Sequence, residues 1–232
     1  VNKLTLITPT TGKSSLYKLI NSIDAQDIPV DHILLWDSKR EDDFLYPNFA
    51  TLITKKPADL DEVRDNGSCR YSIVIPSSFV RGVAYGSSLR AVGLMAANTE
   101  FVMFCDDDVF FDNNHFKSML KLVENHNWAY CRRKVWANVN DYIGVDNFES
   151  VGDSSDRKVP YEMVDNNCMI FNRRLGSSAA VIYRETTEYN DDRNFYAFLK
   201  QYGGIPSVTK EATINQICPQ RLEGMFRQGC SK

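Results

Sequence analysis

Apolar runs and helical periods alternate through the first half of the chain. Leu4-Thr5-Leu6-Ile7 reads as a strand, Thr8-Pro9-Thr10-Thr11-Gly12 as a turn, and Leu16, Leu19, Ile20 and Ile23 recur at helical spacing. A second apolar strand, His32-Ile33-Leu34-Leu35-Trp36, stops at Asp37-Ser38-Lys39-Arg40. A helix between two strands predicts that they pair in parallel, with both carboxyl ends on one edge of a sheet. Ligands of open parallel sheets bind beyond that edge, so Thr8, Pro9, Thr10 and Asp37 are candidates to contact one ligand.

Residues 41–87 carry a weaker pattern, with short strand candidates at 51–53 and 71–75 among polar and Pro-containing connections. Beyond Gly82 and Gly86 the pattern clears. Leu89, Val92, Ala96 and Ala97 mark the inner face of a helix, and Phe101-Val102-Met103-Phe104-Cys105 reads as a fully buried strand. Three aspartates follow, then a turn at Asp112-Asn113-Asn114 and a helix with Phe116, Met119, Leu120 and Val123 on one face.

The second half reads as a strand over 128–136, a polar, loop-like stretch over 138–158, and strand candidates at 168–171 and 179–183. After Asn190-Asp191-Asp192, Phe195, Phe198, Leu199 and Tyr202 fall at i, i+3, i+4 and i+7, with Gly203 as the stop. No internal repeat or low-complexity segment interrupts this order, and 232 residues with 43% hydrophobic content fit one compact α/β unit.

A formal net charge of −3, with both signs spread along the chain, supplies no basic field for a polyanion, so nucleic acid is not an expected partner. No apolar run reaches the roughly 18 residues of a membrane span, and the first residues read as a strand rather than an export signal. The six cysteines form no C-x-x-C pair and no zinc spacing. Cys105 reads as a buried thiol, and a reducing, cytoplasmic setting is the expectation; a luminal domain of a trimmed, membrane-anchored protein is the alternative. Asn66-Gly67-Ser68 fits a glycosylation acceptor, which matters only for a secreted chain. Gly12-Lys13-Ser14 has the end of a P-loop, but Ile7 stands where the first glycine belongs, which argues against a P-loop NTPase.

Asp106, Asp107 and Asp108 at the end of a buried strand repel one another, and a bound cation lowers the cost of ionising them. Mg²⁺ or Mn²⁺ suits such a site, because these ions take one or two carboxylates together with substrate phosphates and water. The competing reading is a solvated acidic turn. Asp191 and Asp192 have two readings as well: they complement a helix start, or one of them is a general base that deprotonates an attacking hydroxyl. Arg90, on the helix before the acidic strand, is either a phosphate partner or a surface cation.

These residues resemble the inverting family 2 glycosyltransferases of the GT-A fold. The resemblance runs through the opening strand, the Thr-Pro-Thr turn and helix, the strand ending in Asp37, the stretch Arg90-Ala91-Val92-Gly93-Leu94, and the apolar strand with its Asp-x-Asp-type motif. It returns at Asp191 to Gly203, which is similar to the family's Glu-Asp, helix, Gly segment, with Asp191 in place of Glu. The resemblance implies a Rossmann-like α/β GT-A fold, a central mostly parallel sheet flanked by helices. Residues 1–115 would form the nucleotide-sugar-binding half, and residues 116–232 the acceptor-binding half of the same catalytic domain. It implies that Thr8, Pro9, Thr10 and Asp37 line the nucleoside pocket and that Arg90 lies near the nucleotide. Asp106 would face the ribose, Asp108 would hold a Mn²⁺ or Mg²⁺ ion bridging the diphosphate with Asp106 beside it, and Asp107 would support them. Asp192 would be the base, with Asp191 left open as the alternative. The donor would be a nucleoside-diphosphate sugar, UDP before GDP, and the acceptor a saccharide or other hydroxyl compound. The absence of a Gln-x-x-Arg-Trp segment favours transfer of one sugar over polymerisation. A retaining GT-A transferase, a sugar-phosphate nucleotidyltransferase and a non-catalytic, metal-dependent sugar-binding module are the competing readings.

Overall fold

The computed structural model describes residues 3–37, 62–63, 67–75, 86–155, 157–185 and 190–230. The first half runs β1 (Leu4–Thr10), α1 (Leu16–Asp24), β2 (Asp31–Asp37), β3 (Glu62–Val63), β4 (Cys69–Ile75), α2 (Ser87–Ala96) and β5 (Phe101–Phe104). The second runs β6 (Val109–Phe111), α3 (His115–Leu122), β7 (Trp128–Asn138), β8 (Asp141–Val145), β9 (Ser150–Gly152), β10 (Met163–Val164) and β11 (Met169–Asn172). It ends with α4 (Arg173–Glu185), α5 (Asp191–Tyr202), β12 (Ser207–Ile217) and α6 (Gln220–Gly229).

One sheet carries most of these strands in the order β3-β4-β2-β1-β5-β11-β7-β12-β6, with β8 added to β7. The block β4-β2-β1-β5 is parallel throughout, as the helix between the first two strands requires, so its carboxyl ends share one edge. Beyond β5 the sheet becomes mixed: β11 is antiparallel to both β5 and β7, and β12 is parallel to β7. One hydrophobic core runs from Leu4 to Ile214 and so includes both halves of the chain.

Helix α2 lies unusually close to the sheet at Gly93. A Cβ there would meet Ile7 Cγ2 at 2.4 Å and Leu35 Cδ1 at 2.9 Å, so only glycine admits this approach. At the helix start Gly86 has φ +80°, and a Cβ on it would stand 2.7 Å from Pro9 Cβ. These two glycines seat α2 against β1, and Arg90, one turn before Gly93, is thereby buried at the carboxyl edge.

Two expectations change, and one strand, β12, carries no sequence signal. Residues 179–183 are part of helix α4, not a strand: Ala179 and Tyr183 are buried while Val181, between them, is 46% exposed. Burial four residues apart is a helical period, and five residues with apolar character at nearly every position conceal it. Residues 138–158 are not simply loop, since they contain β8, paired antiparallel with β7, and β9, paired antiparallel with β10. Strand β12 has no apolar signature because its buried stretch includes Thr213 and Asn215, whose side chains bond to His115 and to Trp136 and Asp112. The strand candidate at 51–53 and Asn66 of the glycosylation triplet lie outside the described residues. The 71–75 candidate is borne out as part of β4. All six cysteines are free, and Cys105 is buried as expected.

Histidine 115, at the start of α3, is fully buried, stacked on Phe111 with ring centroids 4.6 Å apart and hydrogen-bonded through Nδ1 to Thr213 at 2.7 Å. Burial pushes its pKa down to about 3. The folded state therefore stays neutral where the unfolded chain protonates near pH 6.5. Stability from this residue is complete above that pH and declines as pH falls towards 3. Relative to pH 8, the loss at pH 5 is expected to be about 2 kcal/mol. Urea unfolding of the native chain and of His115→Gln across this range should show the variant lacking that component of the slope.

Candidate active site

The acidic motif sits in a tight turn between β5 and β6, closed by the Val109 N–H donating to the Asp106 carbonyl at 3.3 Å. The turn sends its three carboxylates to different partners. Asp106 meets Arg90 in an ion pair and accepts from Asn167 Nδ2 at 3.1 Å. Asp107 turns the other way and is buried, accepting from Thr10 Oγ1 at 2.8 Å and Lys13 Nζ at 2.8 Å. Asp108 is half-buried, and its Oδ1 has no hydrogen-bond partner.

Arg90 is the centre of this arrangement. Its guanidinium lies over Phe104, 5.8 Å from the ring centroid, and bridges Asp106 to Asp191 at 3.2 Å. Asp191 also accepts from Ser87 Oγ at 2.7 Å. Beneath Arg90, Phe104 packs on Phe171, Tyr183 and Phe195 at 5.4, 5.1 and 5.8 Å, which joins β5 to β11, α4 and α5. The start of α5 is thus held at the carboxyl edge by an aromatic cluster below and by Arg90 at the side. The structure accordingly brings Arg90, Asp106, Asp191 and Asp192 into one site, although Arg90 and Asp191 are a hundred residues apart in sequence.

Asp192 differs from its neighbour. Its contact is the Asn166 main-chain N–H, at 3.4 Å, from the 3-10 turn Asn166–Cys168. Burial, followed by the charges of Asp165 and Asp191, pushes its carboxyl well above the usual carboxylate range. Asp108 is pushed up to about 7, by burial first and then by Asp106, Asp107 and Asp165. Asp106 moves the other way: burial alone would raise it, but Arg90 and the Asn167 hydrogen bond hold it below the ordinary value.

Of the remaining candidates, Thr10 bonds directly to the acidic turn through Asp107, and its Oγ1 also accepts the Gly12 N–H at 2.9 Å. Pro9 is buried beneath Gly86. Thr8 is buried with its hydroxyl on His32 Nε2 at 3.0 Å, within a chain that continues through Arg70 to Asp24. Asp37 is half-buried at the carboxyl end of β2, two strands from β5. The sequence reading missed Ser87, Asp165, Asn166 and Asn167. A run of three polar residues directly before the apolar strand at 168–171 was the available signal.

Among the described residues no group of three or more His, Cys, Asp or Glu converges to hold a metal ion. A Mg²⁺ or Mn²⁺ ion does not require one, since substrate phosphates and water complete its shell. The orphaned, buried Oδ1 of Asp108, beside two further carboxylates, fits that mode of binding. Both oxygens of Asp106 already have partners.

A parallel α/β block with carboxylates gathered at its carboxyl edge, extended by a mixed half that supplies a second acidic pair, is the expected GT-A-type architecture. The chain is similar in structure to S. aureus TarS 1–349 (TM-score 0.66, 18% identity, covering 99% of this chain and 66% of that one). It is likewise similar to TarS 1–349 in complex with UDP-GlcNAc (TM-score 0.66, 19% identity, 94% and 59% covered). A further likeness is to 4-diphosphocytidyl-2C-methyl-D-erythritol synthase from Anaerococcus prevotii (TM-score 0.53, 12% identity, 98% and 95% covered). No family model and no curated protein matches the sequence. The likenesses bear out the fold. No helix among the described residues is long and apolar enough to cross a membrane.

Replacing Arg90 by Gln leaves Asp106 and Asp191 facing each other without their cation. Loss of one partner from a buried pair costs about 3–5 kcal/mol, and the 34% exposure of the Asp106 side chain moves the expectation to the lower end, about 3 kcal/mol. Chemical denaturation of Arg90→Gln against the native chain measures it; a loss under about 1 kcal/mol would contradict a buried, bridging role.

Proposed function

We propose that this chain is a nucleotide-sugar-dependent glycosyltransferase that moves one sugar from a nucleoside-diphosphate sugar to an acceptor hydroxyl with inversion. The observation that carries the reading is the Arg90 bridge between the acidic turn after β5 and the acidic start of α5. It gathers a cation, an unpartnered carboxylate and a raised carboxylate at the edge where parallel sheets bind ligands.

Each group has a distinct task in that reading. Asp108 would hold a divalent ion, Mn²⁺ or Mg²⁺, which would neutralise charge on the diphosphate. Arg90 and Lys13 supply fixed positive charge beside the leaving group, so little reorganisation is needed as that charge develops. Asp106 stays ionised against Arg90 and faces the ribose, while Asp107 locks the β1–α1 loop through Thr10 and Lys13. Asp37, half-buried at the carboxyl end of β2, belongs to the nucleoside end of the site, and Thr8 and Pro9, both buried, contribute through the shape of β1. Asp192 takes the proton of the acceptor hydroxyl as its oxygen attacks the anomeric carbon; the bond to the diphosphate breaks and its electron pair leaves with the nucleotide.

Asp192 is favoured over Asp191 as the base because Asp191 is occupied with Ser87 and Arg90. A raised pKa also suits a base that must accept a proton near neutral pH. Residues 1–115 form the donor half and residues 116–232 the acceptor half, with the site at their seam. The TarS complexes contain UDP and UDP-GlcNAc, and the second likeness carries a diphosphocytidyl group in its name. The former support a UDP-sugar donor, with a GDP-sugar next, and a cytoplasmic setting remains the expectation.

Asp108→Ala is expected to abolish metal-dependent donor binding. Asp192→Asn should keep donor affinity within about threefold and lower transfer by at least a hundredfold, within the usual reach of general base catalysis. Calorimetry with UDP-sugars and chromatography of the products distinguish the two effects. Full transfer by Asp192→Asn would remove Asp192 from the mechanism.

A further inference from the structure

The 3-10 turn Asn166–Cys168 touches both carboxylate groups of the site. Asn167 makes three side-chain hydrogen bonds there, two of them using both amide protons: Oδ1 accepts the Asp106 main-chain N–H at 2.6 Å, and Nδ2 donates to Asp106 Oδ2 at 3.1 Å and to Asp165 Oδ1 at 2.7 Å. The orientation of the amide follows from these partners, because a main-chain N–H can only donate and the two carboxylates can only accept. Asn167 is 1% exposed, so water does not compete for these bonds.

Asp165 caps the same turn, accepting the Asn167 N–H at 2.8 Å, and gives its other oxygen to Arg133 at 2.5 Å. Arg133 is fully buried and also pairs with Asp146 at 2.8 Å and with Glu149 at 2.5 Å. This places the turn on a rigid ionic base made from β7, the segment after β8, and the residue after β10. On its other side the turn offers the Asn166 N–H to Asp192, and the Asn166 Oδ1 accepts from Tyr183 of α4 at 2.8 Å.

We propose that Asn167 is a positioning residue for the transfer reaction: it fixes the Asp106 carboxylate against Arg90 while its turn sets Asp192, so that donor-side and base-side carboxylates are registered through one buried amide. The inference rests on the glycosyltransferase reading given above. Asn167 touches no reacting atom in this account. It acts by confining two carboxylates that would otherwise repel, and misplacement of catalytic groups by about 1 Å can cost on the order of a hundredfold in rate.

The test compares the native chain with Asn167→Ala and Asn167→Ser, with UDP-GlcNAc and Mn²⁺ as the probe and water as the acceptor. Rates of UDP release are measured well below each protein's own unfolding midpoint, and donor affinity is measured separately by calorimetry. The expected result for Asn167→Ala is a fall in kcat of at least tenfold per folded molecule, with donor KM changed less than the rate. Asn167→Ser retains one of the hydrogen bonds and should fall between the two. A lower unfolding midpoint with kcat unchanged in both variants would make Asn167 a purely structural residue and overturn the inference while leaving the glycosyltransferase reading intact. A native chain that neither binds nor cleaves any nucleotide-sugar would overturn that reading, and this inference with it.

Discussion

A guanidinium buried at the edge of a sheet demands anions, and in this chain it takes one from each half. Arg90 joins the turn after β5 to the start of α5, and the placement of both acidic segments depends on it. The demand is met from the sequence upward. Gly93 and Gly86 allow α2 to lie against β1, which buries Arg90; the aromatic cluster around Phe104 brings α5 to the same place. Removal of the charge would leave like-charged groups facing one another in a site of restricted solvation.

The three consecutive aspartates illustrate how a charge cluster is resolved within a fold. Arg90 answers Asp106 and Lys13 answers Asp107, whereas Asp108 keeps a buried oxygen without a hydrogen bond. Electrostatics read from the sequence alone predicts that a cation is welcome somewhere in the cluster. Only geometry distinguishes the carboxylates, and it favours Asp108 as the one available to a metal, with Asp106 already committed to its ion pair and to Asn167.

Much of this was legible before the structure. The parallel strands, α2, the buried strand before the aspartates and the helix starting at Asp191 all announce themselves through periodicity, because each buries a continuous apolar face. The second half was less legible for physical reasons. Strand β12 buries Thr213 and Asn215 through hydrogen bonds, α4 hides its helical period in a run of small and apolar residues, and β8 is a hairpin strand of only five residues set in a polar stretch. Arg90, Asp191 and Asp192 could be nominated from sequence, but their convergence could not, since nothing in a linear pattern states that α2 and α5 meet. Asn167 was invisible for the same reason: its importance lies in three partners, and two of them, Asp106 Oδ2 and Asp106 N–H, are 61 residues away.

The central claim is that this edge binds a nucleoside diphosphate through a divalent ion. It is tested most directly by calorimetric titration of UDP, GDP and their common sugar conjugates into the native chain, first with Mn²⁺ and then with excess chelator. The account predicts saturable binding of one nucleotide series, UDP before GDP, that disappears when the metal is removed. Absence of binding by every member in both conditions would contradict it.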